Sequence, residues 1–221
     1  MSMCLEIYDS SKLKKKQKDN YEAESHLLSM FKKNKDKFLG WTLFEQPTIN
    51  GGKRPDLILT HEEKGIIIME AKDSDLGKYV YATNGFVKVK GGKYEKACPI
   101  TQVKGYKNAL YKSTIFDEIR NKHENVGYGV IETVVYYNYS TQEQAMNFIG
   151  KGYDGHTKIW DKSILEFIVG DGDLSDDGKY THALSPKKSD FSKDELLQNA
   201  VRKLDVELKK CYDVRSDNYE K

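Results

Sequence analysis

Two short apolar runs separated by a polar turn constrain the fold of this chain more than any other feature. RPDLILT and GIIIMEA flank the segment HEEKG, whose Gly65 suits a turn position with positive φ. Dense leucine and isoleucine predict two buried strands, and the short connection predicts an antiparallel hairpin. If the turn is centred near Glu63, Asp56 lies opposite Glu70, because both positions are equally far from that centre.

Two acids and a lysine collect at the open end of this predicted hairpin. Directly opposed residues have Cβ atoms about 4.5 to 5.5 Å apart, so the carboxylates of Asp56 and Glu70 could share a divalent cation. Lys72 lies two residues beyond Glu70 and therefore faces the same side of the sheet. Alternatively, Asp56 only starts a turn after Pro55, and Glu70 and Lys72 form an exposed ion pair that contributes little.

A third acid lies on a predicted amphipathic helix from Tyr21 to about Lys33. Glu24 precedes the apolar residues Leu27, Leu28 and Phe31 by three, four and seven positions. That spacing places it on or beside the buried stripe, where a carboxylate needs a partner, and a metal or Lys72 would serve. The alternative is a border residue whose carboxylate reaches water.

The other patterns indicate a mixed α/β fold. Strands are predicted at 41–49 and, centrally in the sheet, at 127–139, with one more within 158–172. Loops and short strands fill 77–97, a helix begins at Pro99, and a last helix begins near Ser192, where Glu195 has capping-box spacing. The apolar stripe of that last helix consists of Leu197, Val201, Leu204, Leu208 and Cys211. The order of helix, three strands, helix and strand predicts a mixed sheet flanked by helices.

Length and composition favour one domain with appended segments. Residues 1–19 are expected to be a basic arm, 20–140 the core, and 141–221 a C-terminal extension packed on that core. The lysine run 12–18 is either a solvated arm or a phosphate-contacting one. The lysines and tyrosines between 78 and 112 could likewise line a strand of nucleic acid or form an ordinary solvated surface.

Charge and cysteine usage restrict the function classes only loosely. The net charge of +2 comes from 36 basic and 34 acidic residues, so it neither requires nor excludes nucleic acid. Three distant cysteines and scattered histidines fit neither a disulfide framework nor a zinc site. With no signal-peptide core and no long apolar window, we expect a cytoplasmic protein without a membrane association.

The hairpin residues resemble the signature of the PD-(D/E)XK nuclease superfamily. Pro55-Asp56 looks like its first part, and Glu70-Ala71-Lys72 looks like its second. The predicted element order also resembles the αβββαβ core of the restriction-endonuclease-like fold. The resemblance covers about residues 20–140, and residues 141–221 match nothing in it.

The resemblance implies a set of site residues and a cofactor. The implied catalytic residues are Glu24, Asp56, Glu70 and Lys72, with Glu22 as the alternative to Glu24. The implied ligands of Mg²⁺ or Mn²⁺ are Glu24, Asp56, Glu70 and Ala71. Carboxylate oxygens are hard ligands that suit these ions together with substrate phosphate.

A second motif refines the resemblance. TQVKGYKNAL is similar to the Gln-x-x-x-Tyr pattern of RecB-like and nuclease-related (NERD-like) members, which implies that Gln102 and Tyr106 belong to the site. Residues four apart share one helical face, so both could reach it.

The function that this resemblance implies is a metal-dependent nuclease, with DNA favoured over RNA. A helicase partner and a homodimer both stay open. The alternative is a non-catalytic nucleic-acid-binding or protein-interaction module with the same fold.

Overall fold

The computed structural model of the chain describes residues 4–9, 22–82, 86–122, 130–150, 156–171 and 195–217. The lysine run 12–18 and the cap predicted at Ser192 lie outside those residues. Among the helices in the described ranges, none is long and apolar enough to cross a membrane.

A mixed six-stranded sheet forms the centre of the fold. Its strands are β1 (Glu6–Tyr8), β2 (Thr42–Glu45), β3 (Leu57–His61), β4 (Gly65–Lys72), β8 (Ile131–Tyr137) and β9 (Thr157–Trp160). They lie in the order β1-β2-β3-β4-β8-β9. The β2–β3 and β3–β4 pairs are antiparallel, whereas β1–β2, β4–β8 and β8–β9 are parallel. The strand predicted at 127–139 is Ile131–Tyr137, an interior strand with a neighbour on each side, and residues 127–129 of that prediction lie outside the described residues.

A second sheet is inserted between β4 and the next helix. It contains β5 (Tyr79–Ala82), β6 (Phe86–Val89) and β7 (Glu95–Ala97), which pair antiparallel in sequence order. We call it the accessory sheet. It confirms the short strands predicted within 77–97, and its β6–β7 hairpin turns at Gly91, whose φ of 75° favours glycine.

Helices cover both faces of the main sheet. They are α1 (Glu22–Lys33), α2 (Pro99–Tyr111), α3 (Asp117–Lys122), α4 (Gln142–Ile149), α5 (Lys162–Asp171) and α6 (Glu195–Asp217). Strand alternation separates two cores: Leu57, Leu59 and Ile67 pack with α1 and α5, whereas Ile58 and Ile68 pack with α2 and α6. The α/β class with a mixed sheet and flanking helices is therefore confirmed.

The last helix buries its apolar stripe within the chain. Leu197, Val201, Leu204 and Leu208 are each at most 2% exposed and belong to the core that α2 also covers. Cys211, the fifth residue of the predicted stripe, is only half-buried. The hydroxyl of Tyr212 donates a hydrogen bond to the backbone carbonyl of Glu45, so α6 is also tied to the end of β2.

Several elements differ from the sequence-based predictions. The strand predicted at 41–49 is only Thr42–Glu45, and residues 6–8 of the expected arm form the edge strand β1. The strand predicted within 158–172 ends at Trp160, and α5 follows because Asp161 caps it, accepting a 3.0 Å hydrogen bond from the amide of Ile164. The expected extension contributes β9 to the main sheet and α5 and α6 to its helical layers.

Candidate functional site

The candidate site lies at the open end of the β3–β4 hairpin. His61 pairs with Gly65 and Leu57 with Met69, which confirms the predicted register and sets Asp56, one residue beyond β3, opposite Glu70. The backbone amide of Ala71 donates a 2.7 Å hydrogen bond to Oδ2 of Asp56. This contact ties the Asp56 carboxylate to β4, and alternation places Glu70 on the face of the sheet that carries Ile68 and α2.

Glu70 is the most deeply buried acid of the site, with only 3% of its surface exposed. Burial, followed by the charge of Asp56 and more weakly that of Glu24, raises the pKa of Glu70 to about 7 against the opposing effect of Lys72. Its Oε2 atom is buried without a hydrogen-bond partner of ordinary geometry in the described part of the chain. A carboxylate in this setting favours the uptake of a proton or a cation.

Lys72 is the basic residue of the site. Its ammonium donates a hydrogen bond to Oε1 of Glu70, while 25% of its side chain remains exposed. The charge of Lys72 therefore compensates part of the acid charge and is still open to solvent at the same edge. This ammonium could reach an anion, such as a phosphate group, that is bound next to Asp56 and Glu70, which we call the acid pair.

Glu24 approaches the site from α1, on the other face of the sheet. It is 5% exposed, as the helical spacing predicts, and its Oε2 accepts a 2.9 Å hydrogen bond from Nε2 of Gln46. The backbone amide of Gln46 donates a 2.8 Å hydrogen bond to the carbonyl oxygen of Asp56. Gln46 therefore connects the acid of α1 to the strand end that carries Asp56.

Glu22, the alternative to Glu24, lies in a different environment. It is exposed, and its carboxylate accepts a hydrogen bond from the hydroxyl of Tyr139. Glu24, in contrast, is buried and acts on the pKa of Glu70. The structure thus brings Glu24 rather than Glu22 to the acid pair.

The two predicted residues of α2 form a hydrogen-bonded pair at the site. Nε2 of Gln102 donates a 2.6 Å hydrogen bond to the hydroxyl oxygen of Tyr106. Burial, and then the charges of Glu70 and Asp56, raise the pKa of Tyr106 to about 12. Since Tyr106 interacts with both acids and is 8% exposed, α2 presents its hydroxyl to the site, and Gln102 reaches the site through that hydroxyl.

The acids of the site offer few donor atoms to a metal. In the described ranges, no group of three or more His, Cys, Asp or Glu side chains is close enough to hold an ion. Asp56 and Glu70 provide two carboxylates, and Ala71 could contribute only its backbone carbonyl oxygen. Because Mg²⁺ commonly binds through one or two carboxylates plus waters and substrate phosphates, this set fits Mg²⁺ or Mn²⁺ better than a fully protein-ligated ion.

Two features of the site were not found from the sequence. The first is Gln46. It lies next to Glu45, which pairs with Leu57, so the β2–β3 register places Gln46 opposite Asp56.

The second is a hydrogen-bond network beside Lys72. Nδ2 of Asn138 donates a 3.0 Å hydrogen bond to Asp73. Asn138 also accepts a 3.3 Å hydrogen bond from the hydroxyl of Tyr136, which is 2.7 Å from Nδ1 of His26. No spacing in the sequence indicates this last network.

Compared with known proteins, the chain matches no family model, no curated protein and no solved structure.

Proposed function

We propose that this chain is a metal-dependent nuclease that hydrolyses phosphodiester bonds, with DNA favoured over RNA. The observation that carries the proposal is the meeting of Asp56, Glu70 and Lys72 at one end of a paired hairpin. In this proposal, α1, β2, β3, β4, α2 and β8 correspond to the αβββαβ core of the restriction-endonuclease-like fold. The Gln102–Tyr106 pair supports a RecB-like or nuclease-related enzyme within that fold.

The acids would provide the cation-binding part of the site. Asp56 and Glu70 would each offer a carboxylate oxygen to Mg²⁺ or Mn²⁺. The buried Oε2 of Glu70 is the best candidate for a ligand atom, because burial disfavours the carboxylate charge and a bound cation would offset it. Glu24, held by Gln46, would add negative charge behind them. When bound, the cation would offset charge on the attacked phosphate and make a water molecule more acidic.

The other residues would act on the phosphate and on the geometry of the acids. The exposed part of Lys72 would contact the phosphate where negative charge develops, or would orient the attacking water. Tyr106 would fix the position of Glu70, because its hydroxyl interacts with that carboxylate. Gln102 would in turn hold the hydroxyl of Tyr106.

A cleavage assay tests the proposal. Labelled linear DNA, circular DNA and RNA are incubated with the purified chain in Mg²⁺, in Mn²⁺ or in EDTA, and the products are separated by electrophoresis. We expect cleavage of DNA with either metal and none in EDTA. Cutting of the circular substrate would identify an endonuclease, whereas cutting of linear DNA alone would identify an exonuclease.

Variants of the same hairpin assign the activity to the site. Asp56→Asn and Glu70→Gln should each reduce cleavage about 100-fold or more, because each removes a carboxylate that would hold the cation against the developing phosphate charge. Glu63→Gln, at the turn of the same hairpin, is the matched control and should cut like wild type. If all three variants cut equally, the site is elsewhere. If the chain binds nucleic acid but cuts nothing with any metal, it is the non-catalytic module instead.

A further inference from the structure

A cleft of about 380 Å³ opens beside the candidate site. It shares Lys72 and Gln102 with the site, so a ligand in the cleft would lie next to the acid pair. The other lining residues come from the accessory sheet, from Phe148 of α4, from the segment after β4, from the end of β8 and from the start of α2. Its size falls within the roughly 300 to 1,000 Å³ of pockets that take small molecules or single groups of larger ones.

One face of the accessory sheet lines this cleft. Val87 lies directly opposite Lys96, and Tyr79 lies directly opposite Val89, two positions beyond Val87. Directly opposed residues, and residues two apart, point to the same side of a sheet, so Tyr79, Val87 and Lys96 share a face. All three contribute to the wall of the cleft.

The wall combines apolar and aromatic surface with lysine. Val87 is 7% exposed, and Tyr79 and the α4 residue Phe148 are half-buried against the core. Lys96 supplies positive charge and forms no salt bridge with any residue that the structure describes, and Lys72 adds the exposed part of an ammonium that is paired with Glu70. A nucleotide offers the complementary combination, since its base has two π-faces and its phosphate is an anion.

The charge of the accessory sheet differs from that of the chain as a whole. Residues 76–98 contain five lysines and one acid, Glu95, although the whole chain has a net charge of only +2. Local positive charge attracts a polyanion such as the nucleic-acid backbone. This positive segment adjoins Asp56 and Glu70, the acids that would hold the cation at the cleaved phosphate.

We propose that this cleft receives the base of an unpaired nucleotide, and therefore that the chain binds single-stranded nucleic acid in preference to a duplex. The position of the adjoining phosphate at Asp56 and Glu70 rests on the proposed nuclease function, whereas the binding of the base does not. In a duplex the bases are paired and stacked, so each must first leave the helix to enter such a cleft, which costs free energy. An unpaired strand avoids that cost.

Binding in EDTA tests this inference without any cleavage. Fluorescence anisotropy is measured with a labelled single-stranded oligothymidylate and with a blunt duplex of the same length. Wild type should bind the single strand more tightly. Tyr79→Ala should weaken that binding about fivefold or more, since it removes an aromatic wall. Lys96→Gln should weaken it and reduce the slope of log affinity against log salt by about 0.7, as expected for one lost phosphate contact.

Two variants of the same sheet serve as matched controls. Tyr94 is 87% exposed and Lys93 is an exposed residue of the β6–β7 turn, and neither lines the cleft. Tyr94→Ala and Lys93→Gln remove the same chemical groups, so each should affect binding less than its counterpart in the cleft. Circular dichroism checks the fold of Tyr79→Ala, and Lys96→Gln changes only an exposed residue.

The outcomes separate this inference from the nuclease proposal. If wild type prefers the duplex, or if the cleft variants bind no more weakly than their controls, the inference is wrong even when DNA is cleaved. If no substrate is cleaved with any metal but the binding pattern appears as described, the nuclease proposal fails and the cleft assignment stands.

Discussion

Nε2 of Gln46 donates a 2.9 Å hydrogen bond to Oε2 of Glu24 and so holds the buried acid of α1 beside the end of β2. Gln46 achieves this with a φ of 49°, in the left-handed region that residues other than glycine rarely adopt. Such a conformation costs about 1 to 3 kcal/mol and persists only where its surroundings fix it. Here the surroundings include the hydrogen bond from the Gln46 amide to the carbonyl oxygen of Asp56.

At position 46, glycine should therefore give a more stable protein than alanine, which is the reverse of their usual order of stability. Gln46→Ala and Gln46→Gly both lose the hydrogen bond to Glu24, but only glycine adopts the left-handed backbone without strain. We expect the glycine variant to be more stable than the alanine variant by about 1 kcal/mol. Chemical denaturation of both variants measures this difference. An alanine variant as stable as the glycine variant would contradict the strained backbone.

The pH dependence of stability should report the buried Glu70. Its pKa is raised from the ordinary value of 4.5 to about 7, so the folded protein retains a proton that the unfolded chain releases between those values. In EDTA, this residue should destabilise the fold progressively as the pH rises from about 5 to about 7, by on the order of 2 to 3 kcal/mol. Below that window the residue should contribute no penalty, because it is protonated in both states.

Glu70→Gln isolates this effect from the other titrating groups. The stability difference between the variant and wild type should grow in favour of the variant as the pH rises from 5 to 8, as measured by thermal or denaturant unfolding in EDTA. At pH 8, Mg²⁺ should stabilise wild type more than the variant, since a cation bound only by the folded state raises its stability. A pH-independent difference would show that Glu70 titrates normally.

Lys72 should matter more for turnover than for substrate binding. Its ammonium is held by Glu70 and is partly exposed, so it is placed to act where phosphate charge develops. Lys72→Ala should lower kcat at least about tenfold, with KM changed much less. Lys64→Ala, at the turn of the same hairpin, is the control and should leave both constants near their wild-type values. A defect confined to KM would make Lys72 a phosphate contact only.

The hairpin and the acid of α1 could be predicted because their signals are local. The apolar runs fix the β3–β4 register through one short turn, and helical spacing alone places Glu24 against the core. Gln46 differs, since its role depends on how β2 pairs with β3 and on a backbone angle that no side-chain pattern encodes. The cleft is also unpredictable from spacing, because it needs the accessory sheet and α4 to meet.

The segment SILEFIV shows how composition can mislead. Its isoleucines and valine favour a strand by propensity, in line with the one strand that the sequence predicts within 158–172. The residues that are buried, Ile164, Leu165, Ile168 and Val169, instead follow helical spacing. Asp161 provides the helix start, and burial against α1 outweighs the small propensity cost of β-branched residues. Tertiary packing therefore decided an element that local preference left ambiguous.

Leu204 should be essential for stability, because α6 packs on the chain's own sheet. Leu204 is 2% exposed within the α2-side core, whereas Val206, two residues along the same helix, is 49% exposed. Leu204→Ala should lower the free energy of unfolding by about 2 to 5 kcal/mol, and Val206→Ala should change it by about 0.5 kcal/mol or less. Denaturant unfolding measures both, and light scattering follows the molecular mass.

The same two variants also test the alternative that α6 serves mainly to pair two chains. Oγ1 of Thr60 in β3 donates a 2.9 Å hydrogen bond to Asp205, next to Leu204, and the hydroxyl of Tyr212 reaches the end of β2 about two turns further along, so the helix is joined to the sheet at two points. If α6 instead served mainly to pair two chains, Leu204→Ala would convert a dimer into a folded monomer with little loss of circular dichroism. Packing on the sheet requires the opposite result: the molecular mass stays the same, and the fold itself becomes less stable because a cavity opens beneath α6.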